Sequence, residues 1–142
     1  MGMPDTLAKL LVLLPTQTIT ATTTGTAVDT ALPYASPQSG VKGALAGRAI
    51  IGLTASAVTG TSPTFDVVVQ GSWDRVNWVP LTVLNAAGTV TPWTQITTTT
   101  TTWTQERYLP GPLPPFLRAL AAVGGTSPSA SITLSVLASN QR

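Results

Sequence analysis

The pattern of apolar and polar positions is most strand-like through Phe65-Asp66-Val67-Val68-Val69-Gln70, where the short β-branched run Val67-Val68-Val69 favours a pleated strand over a helix. Ser72-Trp73-Asp74-Arg75 follows as a polar turn in which Asp74 can bond backbone groups downstream, and Asn77-Trp78-Val79 begins a return strand. Phe65 to Trp78 therefore predicts a β-hairpin. Upstream, residues 48–58 predict a further strand with Gly52 as a bulge or bend, closed by a turn at Thr59-Gly60-Thr61-Ser62-Pro63. The arrangement recurs. Val123-Gly124-Gly125-Thr126-Ser127-Pro128-Ser129 matches Val58-Thr59-Gly60-Thr61-Ser62-Pro63-Thr64, and it lies between the strand-like run 116–123 and the alternating Ile132, Leu134 and Val136. Two similar hairpins predict a two-sheet sandwich with equivalent corners, although one repeated turn is slender evidence for duplication.

The N-terminal segment follows another period. Asp5 is placed to cap a short helix, and Leu7, Leu10, Leu11 and Leu14 fall at i, i+3, i+4 and i+7 until Pro15 ends it. This predicts either a helix packed across an open end of the β core or an arm, residues 1–15, that docks on a neighbouring subunit. From Thr16 the period changes to β-branched alternation, and residues 31–43, rich in Pro, Ser and Gly, read as a loop. Leu81 to Leu84 extends the return strand, and Asn85-Ala86-Ala87-Gly88 turns the chain. Thr97 to Thr102 are six consecutive threonines, extended by preference but identical on both faces, so Trp93, Ile96 and Trp103 must set the register. Pro110, Pro112, Pro114 and Pro115 remove backbone donors and make a rigid connector. The expectation is an all-β chain: a single-domain β-sandwich or jelly-roll-like barrel over residues 16–138, with a short N-terminal arm or helix and a polar tail at 139–142.

Composition narrows the function. Only 8% of the residues are charged and 43% are apolar, with a formal net charge of +2. The basic residues Lys9, Lys42, Arg48, Arg75, Arg107, Arg118 and Arg142 are scattered, whereas a nucleic-acid surface gathers them to displace counterions. Sparse charge also removes repulsion between copies, which points to assembly. The sequence holds neither Cys nor His. Disulfides and thiolate metal sites are excluded, as are the commonest metal ligand and the usual general base near neutral pH. Leu10 to Leu14 is short and broken by Pro15 for a secretory segment, and no run reaches the ~20 apolar residues of a membrane-spanning helix. The product is expected to stay in the cytoplasm that makes it, or to leave it within a larger particle.

No candidate chemistry survives inspection. Asp66 and Asp74 are the only neighbouring carboxylates, and a hairpin puts one at a strand start and the other in its turn, with too few oxygens for calcium. No Gly-x-Ser-x-Gly elbow occurs, and Gly124-Gly125-Thr126-Ser127 lacks the lysine of a phosphate loop. The expectation is no enzyme, no cofactor and no metal. Trp73, Trp78, Trp93 and Trp103 are either core and interface filler or a stacking platform for a ligand.

The residues Gly60-Thr-Ser-Pro-Thr-Phe-Asp-Val-Val-Val-Gln-Gly-Ser-x-Asp-x-x-x-Trp78, with Gly111-Pro-Leu-Pro-Pro-Phe-Leu-Arg-Ala119 and Val123 to Ser129, carry a resemblance over about residues 48–137. The segment resembles small structural proteins of tailed-phage and prophage head-gene clusters, most closely capsid decoration, or cement, proteins and minor head components. The resemblance implies a β-rich fold and a non-enzymatic virion protein on the capsid surface. It further implies binding to the major capsid protein as a homo-oligomer, with a trimer favoured, and no role for nucleic acid or membrane. Candidate interface residues are Leu7, Leu10, Leu11 and Leu14 of the arm, Trp93 and Trp103 flanking the threonines, and Pro112 and Pro114 of the connector. A tail or neck subunit is the first alternative. The Ser-x-Asp-x-x-x-Trp turn is also similar to one in discoidin-like jelly rolls, with Arg75 where those carry Gly, so a carbohydrate-binding module with a glycan partner is the second.

Overall fold

The structure, a computed structural model, describes residues 8–30, 49–97, 103–110 and 113–139. Its strands are β1 (Ala8–Ile19), β2 (Thr23–Thr24), β3 (Val28–Asp29), β4 (Ala49–Ser72), β5 (Val79–Pro80), β6 (Trp103–Leu109) and β7 (Phe116–Ser139). All pair antiparallel in one seven-stranded sheet, with no helix among the described residues. The all-β expectation holds.

Two strands of 24 residues, β4 and β7, form the frame and pair with each other from Ala49↔Ala138 to Ser72↔Phe116. Beside the first half of β4 lies β6, and beside the last half of β7 lies β1. The other halves are flanked by β5 on β4 and by β2 and β3 on β7. Each half of the sheet buries alternate residues: Ile51, Leu53 and Ala55 with Ile132, Leu134 and Val136, then Phe65, Val67 and Val69 with Leu117, Ala119 and Ala121. Both sets belong to a single core cluster, and no helix among the described residues covers either, so the sheet folds over and its halves cover each other. Gly25 marks one edge where they meet. Its N–H donates to the Ala119 carbonyl at 2.8 Å, and a Cβ there would collide with the backbone carbonyl of Leu13 in β1.

The fold-over occurs at the repeated Gly-Thr-Ser-Pro segments. Register shifts between Ser56 and Thr64 bend the long strands, and Gly60 and Gly125 adopt φ values of 123° and 100° that a side chain rarely tolerates. The two copies meet at Thr61↔Thr126 and pack reciprocally, Gly60 against Ser127 and Pro128, Gly125 against Ser62 and Pro63. These are the equivalent corners expected from the sequence. They are bends within continuous strands, not turns between separate ones.

The symmetry extends further. The order β1, β2–β3, β4 is repeated as β5, β6, β7, and each short strand pairs with the long strand of the other unit. β1 lies on the C-terminal half of β7 as β5 lies on that of β4, and β3 lies on the N-terminal half of β7 as β6 lies on that of β4. The chain is thus a topological duplication whose two units exchange their short strands.

Residues 8–15 correct the expectation of an N-terminal helix, for β1 runs through them to Ile19. Leu11, Leu13 and Leu14 all turn inward because a bulge between Val12 and Leu14 shifts the alternation. A helix of so few residues is unstable alone, whereas pairing with β7 supplies backbone partners and buries three leucines. Pro15 does not break the strand. It falls in the second shift, between Leu14 and Gln17 on an edge strand, where its missing N–H removes no ladder bond. Gly52 also differs from expectation: it sits in unbroken register with Ser135 and Glu106 and forms no bulge.

Candidate protein interface

Positions facing away from the core on the β1-β7-β4-β6 half form rows across the strands. Leu10, Leu137, Ile50 and Tyr108 make one row through successive register pairs. Val12, Ser135, Gly52 and Glu106 make the next. Beyond them stand Thr133, Thr54 and Thr104, with Thr16 joined by a 2.7 Å hydrogen bond between its hydroxyl and that of Thr133. Leu10, Val12 and Leu137 are exposed at 63%, 44% and 48%. Glu106 is the only charged residue in these rows, so an apolar stripe beside short hydroxyls covers a face that costs little to desolvate.

A second feature is the β4–β5 turn. Buried Ser72 accepts from the N–H groups of Asp74 and Arg75 and donates to Asp74 Oδ1. Asp74 Oδ1 in turn accepts from the N–H groups of Val76 and Asn77, each at 2.8 Å, and Oδ2 accepts from Asn77 Nδ2. Arg75 takes a φ of 65° and lays its guanidinium 4.3 Å from the centroid of the Phe116 ring. Arg118 covers Trp78 at the same distance while bonding Gln70. The turn is thereby fixed, and it holds Trp73 and Val76 at 76% and 77% exposure. These bonds to the ionised carboxylate hold the Asp74 pKa well below the usual carboxylate range. Since the folded pKa is depressed, the stabilisation is complete above the ordinary value of 3.8 and is lost as pH falls through the folded value. Backbone amide shifts of Val76 and Asn77 are accordingly expected to stay constant down to pH near 3.8 and to move only in stronger acid, and Asp74→Asn should abolish that movement.

A groove opens on the free side of β4. Phe65 exchanges backbone bonds of 2.9 and 3.0 Å with Ile96, and the Val69 carbonyl accepts from the Leu81 N–H at 2.9 Å. Backbone groups alternate sides along a strand, so the N–H and C=O of Val67 point to the same edge. No described backbone group bonds them there. The opening has a volume of about 260 Å³ and is lined by Asp66, Val67, Leu81, Val83, Val90 and Trp93. Arg107 donates from Nε to the Thr91 carbonyl, and its guanidinium lies 5.5 Å from the Trp93 ring centroid. Gln95 Nε2 bonds both Asp66 oxygens at 3.0 Å.

The residues expected at an interface are distributed unevenly by this architecture. Leu10 is on the outer face, whereas Leu11 and Leu14 are 3% and 0% exposed and belong to the core, which corrects their assignment to a docking stripe. Trp93 is half-buried against the core and lines the groove, with its Nε1 buried and without a hydrogen-bond partner among the described residues. Pro114 is an internal buttress: its ring fills the space that a side chain at Gly71 would need, and its carbonyl accepts from the buried Thr30 hydroxyl at 2.8 Å. The backbone of Trp103 pairs with Ala55 in β6, and its side chain lies outside the described residues. Leu7 and Pro112 also lie outside them, as does most of the threonine tract. Sequence reading passed over Leu137 and Ile50, although both are apolar residues out of phase with buried neighbours at 132, 134 and 136 and at 49, 51 and 53. That phase is the signal that locates them on the outside. Compared with protein-family models, with curated proteins and with solved structures, the chain matches none.

Proposed function

We propose that this is a non-enzymatic structural protein of a phage virion, a capsid decoration protein that stabilises the assembled head through contacts with the major capsid protein and with its own neighbours. The observation that carries the reading is the outer face of the β1-β7-β4-β6 half, where Leu10, Leu137, Ile50 and Tyr108 run beside threonines and serines with one carboxylate among them. Such a face suits packing against protein, and the motif resemblance over about residues 48–137 supplies the phage context. The mechanism is mass action: a protein that binds only the expanded shell stabilises that state in proportion to occupancy. Many symmetric copies make a modest single contact sufficient.

The test is to mix purified protein with undecorated expanded heads of the phage or prophage that encodes it. Co-sedimentation at micromolar concentration and a raised temperature of head disruption are expected. Leu137→Asp, which places a charge in the apolar row, should weaken binding about ten-fold or more, while its fold is retained because the position is exposed. Absence of co-sedimentation at micromolar protein would remove the capsid reading. The exposure of Trp73 on a fixed turn favours one second reading, a glycan-binding surface. Glycan binding lost on Trp73→Ala, in a protein that ignores heads, would replace the first.

A further inference from the structure

We infer that the Trp73 turn of one molecule seats in the β4 groove of a second copy of this chain, so that copies associate head to tail. Trp73 and Val76 are the most exposed large apolar side chains among the described residues, yet the turn beneath them is held by Ser72, Asp74 and two arginine–aromatic stacks. An exposed aromatic whose backbone is already ordered loses little further entropy on docking, as befits an interface anchor. The groove matches it in size. At about 260 Å³ it lies below the ~300–1,000 Å³ of pockets that enclose small ligands, and it suits one large side chain.

The polar chemistry matches as well. An indole carries one N–H and no acceptor, and buried indoles need a partner for it. The groove offers the Val67 carbonyl, which no described backbone group bonds on that edge, and the Asp66 carboxylate, whose oxygens also accept from Gln95 Nε2. Val90 and Leu81 provide the apolar wall that the indole ring and Val76 would cover. With 8% charged residues in the chain, little repulsion opposes the approach of a second copy. Turn and groove are different surfaces of one molecule, so the contact is heterologous and either closes into a ring or propagates. A trimer is one such ring. The inference concerns contacts between copies and stands or falls without any capsid.

The chain has no cysteine, which permits a direct test. Val76→Cys and Val90→Cys, at sites 77% and 61% exposed, are purified separately, the second carrying a mass tag, then mixed and oxidised. The expected result is a disulfide-linked heterodimer in clear excess over the homodimers that either variant gives alone. Sedimentation equilibrium of the unmodified chain should show self-association that Trp73→Ala weakens about 30-fold, the loss typical of a hot-spot residue. Val90→Lys should weaken it from the groove side, with circular dichroism unchanged in both variants. A sedimenting monomer at all concentrations, or a heterodimer yield no greater than that of the homodimers, would overturn the inference. Association unaffected by either substitution would overturn it equally.

Discussion

Phe65→Ala is expected to lower the unfolding free energy by about 3–5 kcal/mol, the usual cost of truncating a fully buried phenylalanine. Phe65 is 0% exposed and is the largest fully buried side chain among the described residues. Three elements meet at it: it pairs with Val123 of β7, exchanges two backbone bonds with Ile96, and leads into Val67 and Val69 of the core. The cavity left by alanine cannot collapse easily, because the surrounding backbone is held by these ladders on both sides. Urea unfolding followed by tryptophan fluorescence measures the effect. A midpoint unchanged from the parent would mean that the halves of the sheet do not close over this residue.

The second large effect is expected at the fold-over, from a series of glycine-to-alanine changes. At Gly125 an added Cβ would lie 2.6 Å from the Ser62 carbonyl oxygen and 2.9 Å from Pro63 Cα, and the φ of 100° is itself strained for alanine. Gly60 repeats the situation against Pro128 Cα and the Ser127 carbonyl, both at 2.9 Å. Backbone strain alone costs about 1–3 kcal/mol, and displacement of paired backbone adds to it. Gly88 separates the two terms, having a φ of 86° with nothing near the added atom. Gly52 has neither and should be neutral or slightly stabilised as alanine. Thermal unfolding should therefore rank the variants with Gly125→Ala and Gly60→Ala lowest, Gly88→Ala intermediate, and Gly52→Ala at or above the parent. Equal midpoints for Gly125→Ala and Gly88→Ala would show that the reciprocal packing of the two corners contributes nothing.

Local signals were legible wherever the chain itself supplied the partner. The β-branched run at 67–69, the alternation at 132–136, the Asp74 turn, and the Asn85 turn, in which Asn85 Oδ1 accepts from Ala87 and Thr89 N–H, depend on residues a few positions apart. The repeated Gly-Thr-Ser-Pro segments were visible too. Their mutual packing was not, because nothing in either copy names the other as its neighbour.

The leucines of β1 show why the remainder was hidden. Leu7, Leu10, Leu11 and Leu14 satisfy a helical period, yet Leu11, Leu13 and Leu14 equally satisfy an edge strand with one bulge, and only the availability of β7 as a partner decides between them. The candidate interface has the same origin. Its outer row draws one residue from each of β1, β7, β4 and β6, and its groove draws on residues 66–68, 81–83 and 90–93.

The sequence by itself determined that the chain is all-β, where its corners and tight turns fall, and that neither histidine nor cysteine chemistry is open to it. The tertiary structure alone decided which strand lies beside which, hence that β1 is a strand, that the two units exchange partners, and which apolar residues remain outside. The physical reason is that turns and strand alternation are fixed by short-range sterics and hydrogen bonds. Strand partnership is fixed by burial between segments distant along the chain, and a one-residue change of register would exchange the two faces.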